Sequence, residues 1–150
     1  MRKLTGVVSC LILALIATGC KAAPQPGIPV THATACDTAN NDKRVSLEGY
    51  PRFSPVGTTS LDFGINLWEH PNSGGKSVLI YIPAGTAANQ IDNLRSDTAD
   101  AALKIHTNTN QVVGTDTRIR VTGSLSVIKS DGTTWCVIED INLIEAAPTS

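Results

Sequence analysis

The chain has 150 residues, of which 41% are hydrophobic and only 4% aromatic, and its formal charge is −1. That is one domain's worth of sequence. With no basic cluster along it, the chain lacks the positive face of a general nucleic-acid binder.

Met1-Arg2-Lys3 opens the chain, and an apolar stretch from Leu4 to Thr18 follows, broken by Thr5, Gly6, Ser9 and Cys10 and ending in Gly19-Cys20. A positive start, a short apolar core and a small residue before a cut site are the parts of a secretory signal. The stretch is shorter than the about 20 apolar residues of a membrane-spanning helix, so residues 1–19 are expected to be cleaved. Ala17-Thr18-Gly19-Cys20 resembles the lipobox of bacterial lipoproteins, with alanine where that family usually has leucine. The resemblance implies that Cys20 carries a diacylglyceryl group, starts the mature chain and holds it to a membrane. Lys21, a non-aspartate after the cysteine, implies in the same way the outer membrane, facing the periplasm, in a Gram-negative cell. Such an anchor works by burying methylenes, at about 0.8 kcal/mol each, and several acyl chains hold firmly where one is marginal. The competing reading is an ordinary signal cut nearby, with Cys20 a plain thiol.

Cleavage would remove Arg2 and Lys3, leaving 10 basic and 13 acidic residues. It would also discard Cys10. With Cys20 acylated, only Cys36 and Cys136 remain, and an exported protein sits where disulfides persist. A bridge closing a loop of about 100 residues is worth about 4.7 kcal/mol in chain entropy. Neither cysteine has a partner at zinc-ligand spacing.

Residues 20–35 are rich in Ala and Pro and show no apolar period, which predicts an extended tether with His32 solvated. The domain is expected over 36–146 and a frayed tail over 147–150. From Lys43 the pattern alternates with period 2, as in strands with one buried face. Val45, Leu47, Gly49, Pro51 and Phe53 share one side of a first strand that bends at Gly49. Leu61, Phe63, Ile65 and Leu67 mark a second, with Asp62, Gly64, Asn66 and Trp68 on its reverse. After turn residues Pro71–Gly75, Val78–Ile82 forms a third strand in a hairpin with the second. Ile91 and Leu94, with Thr86 as N-cap, predict a short helix over 86–95 extending toward Lys104. Residues 96–113 admit helix or strand, including a strand pair about Asn108-Thr109-Asn110. Thr117–Lys129 alternates most strongly, Ser130-Asp131-Gly132 is a tight turn, and Trp135–Ile144 is the last strand.

Five main strands with a short helix between the third and fourth is the order of an OB-fold, a small Greek-key barrel. Arg118–Leu125 followed by Cys136-Val137-Ile138 also resembles the closing strands of small bacterial envelope OB-fold proteins. The alternative is an immunoglobulin-like sandwich, with about seven strands and a core tryptophan beside its bridge, for which Trp135 next to Cys136 is the available residue.

Catalytic signatures are missing. No Gly-x-Ser-x-Gly elbow occurs, and Gly74-Gly75-Lys76-Ser77 lacks the earlier glycine of a phosphate loop. His32, His70 and His106 lie far apart, and Glu139 and Asp140, adjacent on a strand, should point to opposite faces. Glu69-His70 is the one adjacent carboxylate–imidazole pair. The expectation is therefore a non-enzymatic, membrane-anchored envelope lipoprotein, without cofactor or metal, whose barrel binds a protein or a small envelope ligand. OB barrels use the face of strands 2 and 3 and the flanking loops, here Asp62, Asn66, Trp68 and Tyr81 with His70 at the strand end and loops 54–59 and 129–133. Two other readings compete: an oligosaccharide or oligonucleotide binder working through Trp68, and a hydrolase accessory working through Glu69 and His70.

Overall fold

The computed structural model describes residues 23–56, 59, 61–93 and 100–148, so the expected signal segment and Cys20 lie outside the described residues. The strands are β1 (Ile28–Pro29), β2 (Lys43–Phe53), β3 (Asp62–His70), β4 (Gly74–Pro83), β5 (Gln90–Ile91), β6 (Ile105–His106), β7 (Val112–Val113), β8 (Ile119–Ser130) and β9 (Thr133–Ala146). Five of them close on themselves. β2 pairs antiparallel with β3, β3 with β4, β4 runs parallel to β9, β9 pairs antiparallel with β8, and β8 returns to β2. This is an OB-fold-like Greek-key barrel with an additional short strand, β1, on β2. The sandwich alternative fails on that closure, and Trp135 is 44% exposed rather than packed behind a bridge.

The alternating residues fill the barrel as the period requires. Val45, Leu47, Ile65, Leu67, Ile80, Val121, Leu125 and Ile138 are buried, and Phe63 is the one buried aromatic among the described residues. β2 serves two partners, pairing with β8 over Lys43–Gly49 and with β3 over Tyr50–Phe53. Gly49 stands at the handover, where a Cβ would lie 2.5 Å from the Trp68 carbonyl oxygen and 2.8 Å from Leu67 Cγ. Pro51 follows the last β2–β8 pair, so its missing N–H costs no ladder bond. The β8–β9 hairpin turns at Asp131 and Gly132, both at positive φ, between the paired Ser130 and Thr133.

Each end of the barrel has its own stopper. Where β2 begins, residues 28–36 fold onto the domain: β1 pairs with Val45 and Ser46, Ala35 is fully buried, and Cys36 is bonded to Cys136 with Cα atoms 5.3 Å apart. The expected tether thus ends earlier than residue 35. His32, expected in solvent, is only 8% exposed and donates from Nε2 to the Leu67 carbonyl at 3.0 Å. The alternation test misses such an arm because its contacts come from single residues, without a repeating face.

At the other end β5, β6 and β7 form a small antiparallel meander that inserts Ile91, Leu103, Ile105 and Val113 into the core. It replaces the expected helix: residues 86–93 are not helical, and Asp100–Ala102 is a single 3-10 turn, while 94–99 lie outside the described residues. The physical reason is Asn89. It takes a left-handed conformation, φ 61°, and its side chain accepts from the Ile144 amide at 2.7 Å and donates to the Asn142 carbonyl at 3.1 Å. One side-chain amide thereby satisfies β9 where β4 no longer accompanies it. The strand pair about Asn108–Asn110 is present as β6 and β7.

Candidate binding face

Strand alternation puts Asp62, Asn66 and Trp68 of β3, Ser77, Leu79, Tyr81 and Pro83 of β4, and Trp135, Val137 and Glu139 of β9 on one outer surface. The register joins them into rows: Trp68 opposite Ser77, Asn66 between Arg52 and Leu79, Leu79 beside Val137, Tyr81 opposite Gly64, and Asp62 opposite Pro83. Tyr50 extends the first row from β2, opposite Trp68. All four Trp and Tyr residues of the chain therefore sit on outward positions of contiguous strands, and none of them is buried. The interior is filled almost wholly by aliphatic side chains.

Two clefts indent this surface. The first, about 580 Å³, is lined by Thr59, Asp62, Tyr81, Pro83, Glu139, Asp140 and Ile141. Its neighbouring carboxylates Glu139 and Asp140 do not diverge as a regular strand would make them. β9 bulges there, since Glu139 faces Ser124 and Leu143 faces Thr122 across a single Gly123, and Asp140 adopts φ 48°. Gly123 is required opposite the bulge, because a Cβ would come within 2.5 Å of the Glu139 carbonyl oxygen. Both carboxylates thus join Asp62 around one cleft. Sequence spacing carries no sign of it beyond the glycine in an otherwise regular alternation.

The second cleft, about 500 Å³, has Asn66, Lys76, Ser77 and Leu79 on one side, Thr134, Trp135 and Cys136 on the other, and His32, Ala33 and Cys36 of the arm. At the opposite limit of the surface, in the loop from β2 to β3, Val56 and Leu61 are 66% and 75% exposed. Apolar groups therefore flank the face at both ends.

Of the residues singled out from sequence, Asn66 and Tyr81 line these clefts, and Trp68 lies half-buried on the same surface. Glu69 and His70 part company. His70 is exposed at the β3–β4 hairpin, while Glu69 takes the Lys76 amide at 3.4 Å and lines a separate cleft with Glu48, Arg118 and Arg120. There Glu48 accepts from Arg120 Nε at 2.9 Å and pairs with Arg118 at 3.3 Å, and its hydrogen bond with Arg120 raises the affinity of that guanidinium for its proton. These charges neutralise one another across β2 and β8.

Sequence reading missed a second acid–imidazole pair, His106 Nε2 to Asp92 Oδ1 at 2.6 Å. The two residues are joined only by the β5–β6 pairing, which the helix expectation hid. It ties the meander together. Among the described residues no group of three or more His, Cys, Asp or Glu is placed to hold a metal ion. No protein-family model, no curated protein and no solved structure matches this chain.

Proposed function

We propose that this protein is a lipid-anchored envelope module, held by acylated Cys20, that binds a partner protein or a small envelope ligand on the outer face of β3, β4 and β9. The observation that carries the reading is the outward placement of Tyr50, Trp68, Tyr81 and Trp135 on contiguous strands, with Tyr81 lining one cleft and Trp135 the other. Burying such rings is worth the most at an interface, where they combine apolar area with a polar tip at low entropic cost. A barrel filled by Ile, Val and Leu has no packing need to put all four of them outside. The carboxylates of Asp62, Glu139 and Asp140 on this face disfavour a phosphate backbone. That leaves a protein or an uncharged or cationic ligand ahead of an oligonucleotide.

The anchor is supported by the position of Cys20 directly after the apolar stretch and by the Cys36–Cys136 disulfide, which belongs to an oxidising compartment. Two measurements test the whole. Mass spectrometry of the mature N-terminus should find acylated Cys20, and Cys20→Ala should release the protein from membranes. A plain thiol there would overturn the anchor. Trp68→Ala combined with Tyr81→Ala should abolish specific cross-linked adducts of the anchored protein without lowering its melting temperature by more than a few degrees. Adducts that survive unchanged would remove the face from the proposal.

A further inference from the structure

The second cleft exists because two barrel strands separate. β4 and β9 run parallel, yet their ladder comprises only Leu79 with Val137 and Ile80 with Ile138. Toward Gly74 on one strand and Thr133 on the other no β4–β9 pairing continues among the described residues, and the side chains of Lys76, Ser77, Thr134 and Trp135 stand exposed there.

Ladder alternation fixes which backbone groups face the opening. Val127 donates its amide to Asn41 Oδ1 and the Leu125 carbonyl accepts from Asp42, so odd residues of this part of β8 turn away from β9. Lys129 lies opposite Thr134, and Thr134 therefore turns its N–H and C=O away from β8, into the cleft. On β3, the Gly64 carbonyl accepts from Ser54, so even residues face β2 and odd ones face β4. Trp68 lies opposite Ser77, so Ser77 likewise turns its N–H and C=O away from β3, toward Thr134. Two strand edges with unextended ladders thus face each other above the arm, with Leu79 and Trp135 beside them.

We infer that this cleft takes an extended peptide segment of a protein partner by strand addition, its backbone bonding to the edges at Ser77 and Thr134 and an apolar side chain resting on Trp135 and Leu79. Backbone edges of this kind select a peptide, because only a peptide repeats N–H and C=O at strand spacing, and sugars and nucleotides do not. An open edge is otherwise a liability that folded proteins cover. This inference rests on the reading of the outer face as a binding surface and names its partner class.

The test uses the full acylated protein in detergent and the blocked hexapeptide Thr-Val-Thr-Val-Thr-Val as probe, followed by calorimetry and by amide shifts of Ser77 and Thr134. The peptide should bind saturably and shift both amides. A version N-methylated on alternate residues, unable to pair along one edge, should bind at least tenfold more weakly, and Ser77→Pro should weaken the parent peptide to the same extent. Val112→Ala, on the exposed side of the meander and away from the face, should change the affinity less than twofold. Equal binding of parent and N-methylated peptides, or no saturable binding of the parent up to millimolar concentration, would overturn strand addition. If that happens while Trp68→Ala with Tyr81→Ala still abolishes adducts, the face stands and only the cleft assignment falls.

Discussion

The two ends of the barrel are closed by opposite strategies. Where β2 begins, the stopper is an arm with little regular structure, fixed by a covalent bond, one buried histidine and a two-residue strand. At the other end it is a three-stranded meander fixed by four buried aliphatic side chains and the Asn89 clamp. The first depends on a bond that redox state can break, the second on apolar burial, the Asn89 hydrogen bonds and the His106–Asp92 pair. The arm also leads back toward Cys20, so the redox-sensitive end is the one nearer the proposed anchor.

Removing the disulfide should have the largest effect. Cys36→Ser with Cys136→Ser should lose about 4 to 5 kcal/mol, as expected for a loop of this length, measured by urea unfolding. Amide exchange should then accelerate first in residues 28–35 and leave 105–113 protected; the reverse order would break the distinction between the ends. Ile105→Ala should cost about 3 kcal/mol through its cavity, and chemical reduction should add to that loss without amplifying it, because the two stoppers close different ends of the barrel. Asn89→Ala should cost about 2 kcal/mol by orphaning the Ile144 amide and the Asn142 carbonyl, seen as faster exchange at Ile144.

The smallest effect is the pH dependence of the arm. Burial holds the His32 imidazole below its usual value of 6.5, opposed by its hydrogen bond to Leu67 and by Glu69. The unfolded chain therefore takes up a proton first as pH falls through about 6.5, and stability that is full above that value declines toward the lower folded value. Melting temperatures measured from pH 7.5 to 5 should fall, and His32→Gln should flatten the slope. A slope unchanged in His32→Gln would assign the effect elsewhere.

How much of this was legible in the sequence depended on whether a region repeats. Three of the barrel strands follow the period-2 burial of Val45 to Pro51, Phe63 to Leu67 and Ile119 to Leu125. Leu61, expected on the buried side of the second strand, lies before it and is 75% exposed. Asp131-Gly132 fits its tight turn because both residues tolerate positive φ. The disulfide followed from the expected export and the count of cysteines. The stoppers were not legible in the same way. Ile91 and Leu94 are spaced like a helix, but the left-handed Asn89 and the need to satisfy β9 override that spacing. Pro-rich residues 28–36 look unstructured because their order comes from contacts with distant strands at Val45, Leu67 and Cys136. At the candidate face Asn66 and Trp68 are readable from alternation and Tyr81 from the face that OB barrels use, whereas Trp135 fits by sequence only the core of the alternative sandwich, and the shared cleft of Glu139 and Asp140 requires a bulge that no local propensity announces.

With both ends stoppered, the outer surface of β3, β4 and β9 is the proposed place for the barrel to meet a ligand. Site-specific photo-cross-linking in intact cells tests this most directly, with the probe placed in turn at Trp68, Tyr81 and Trp135 and, away from that surface, at Ser46 and Val112. Discrete adducts are predicted from the first three positions and none from the other two. The same adducts from Ser46 and Val112, or none from any aromatic position, would contradict this reading.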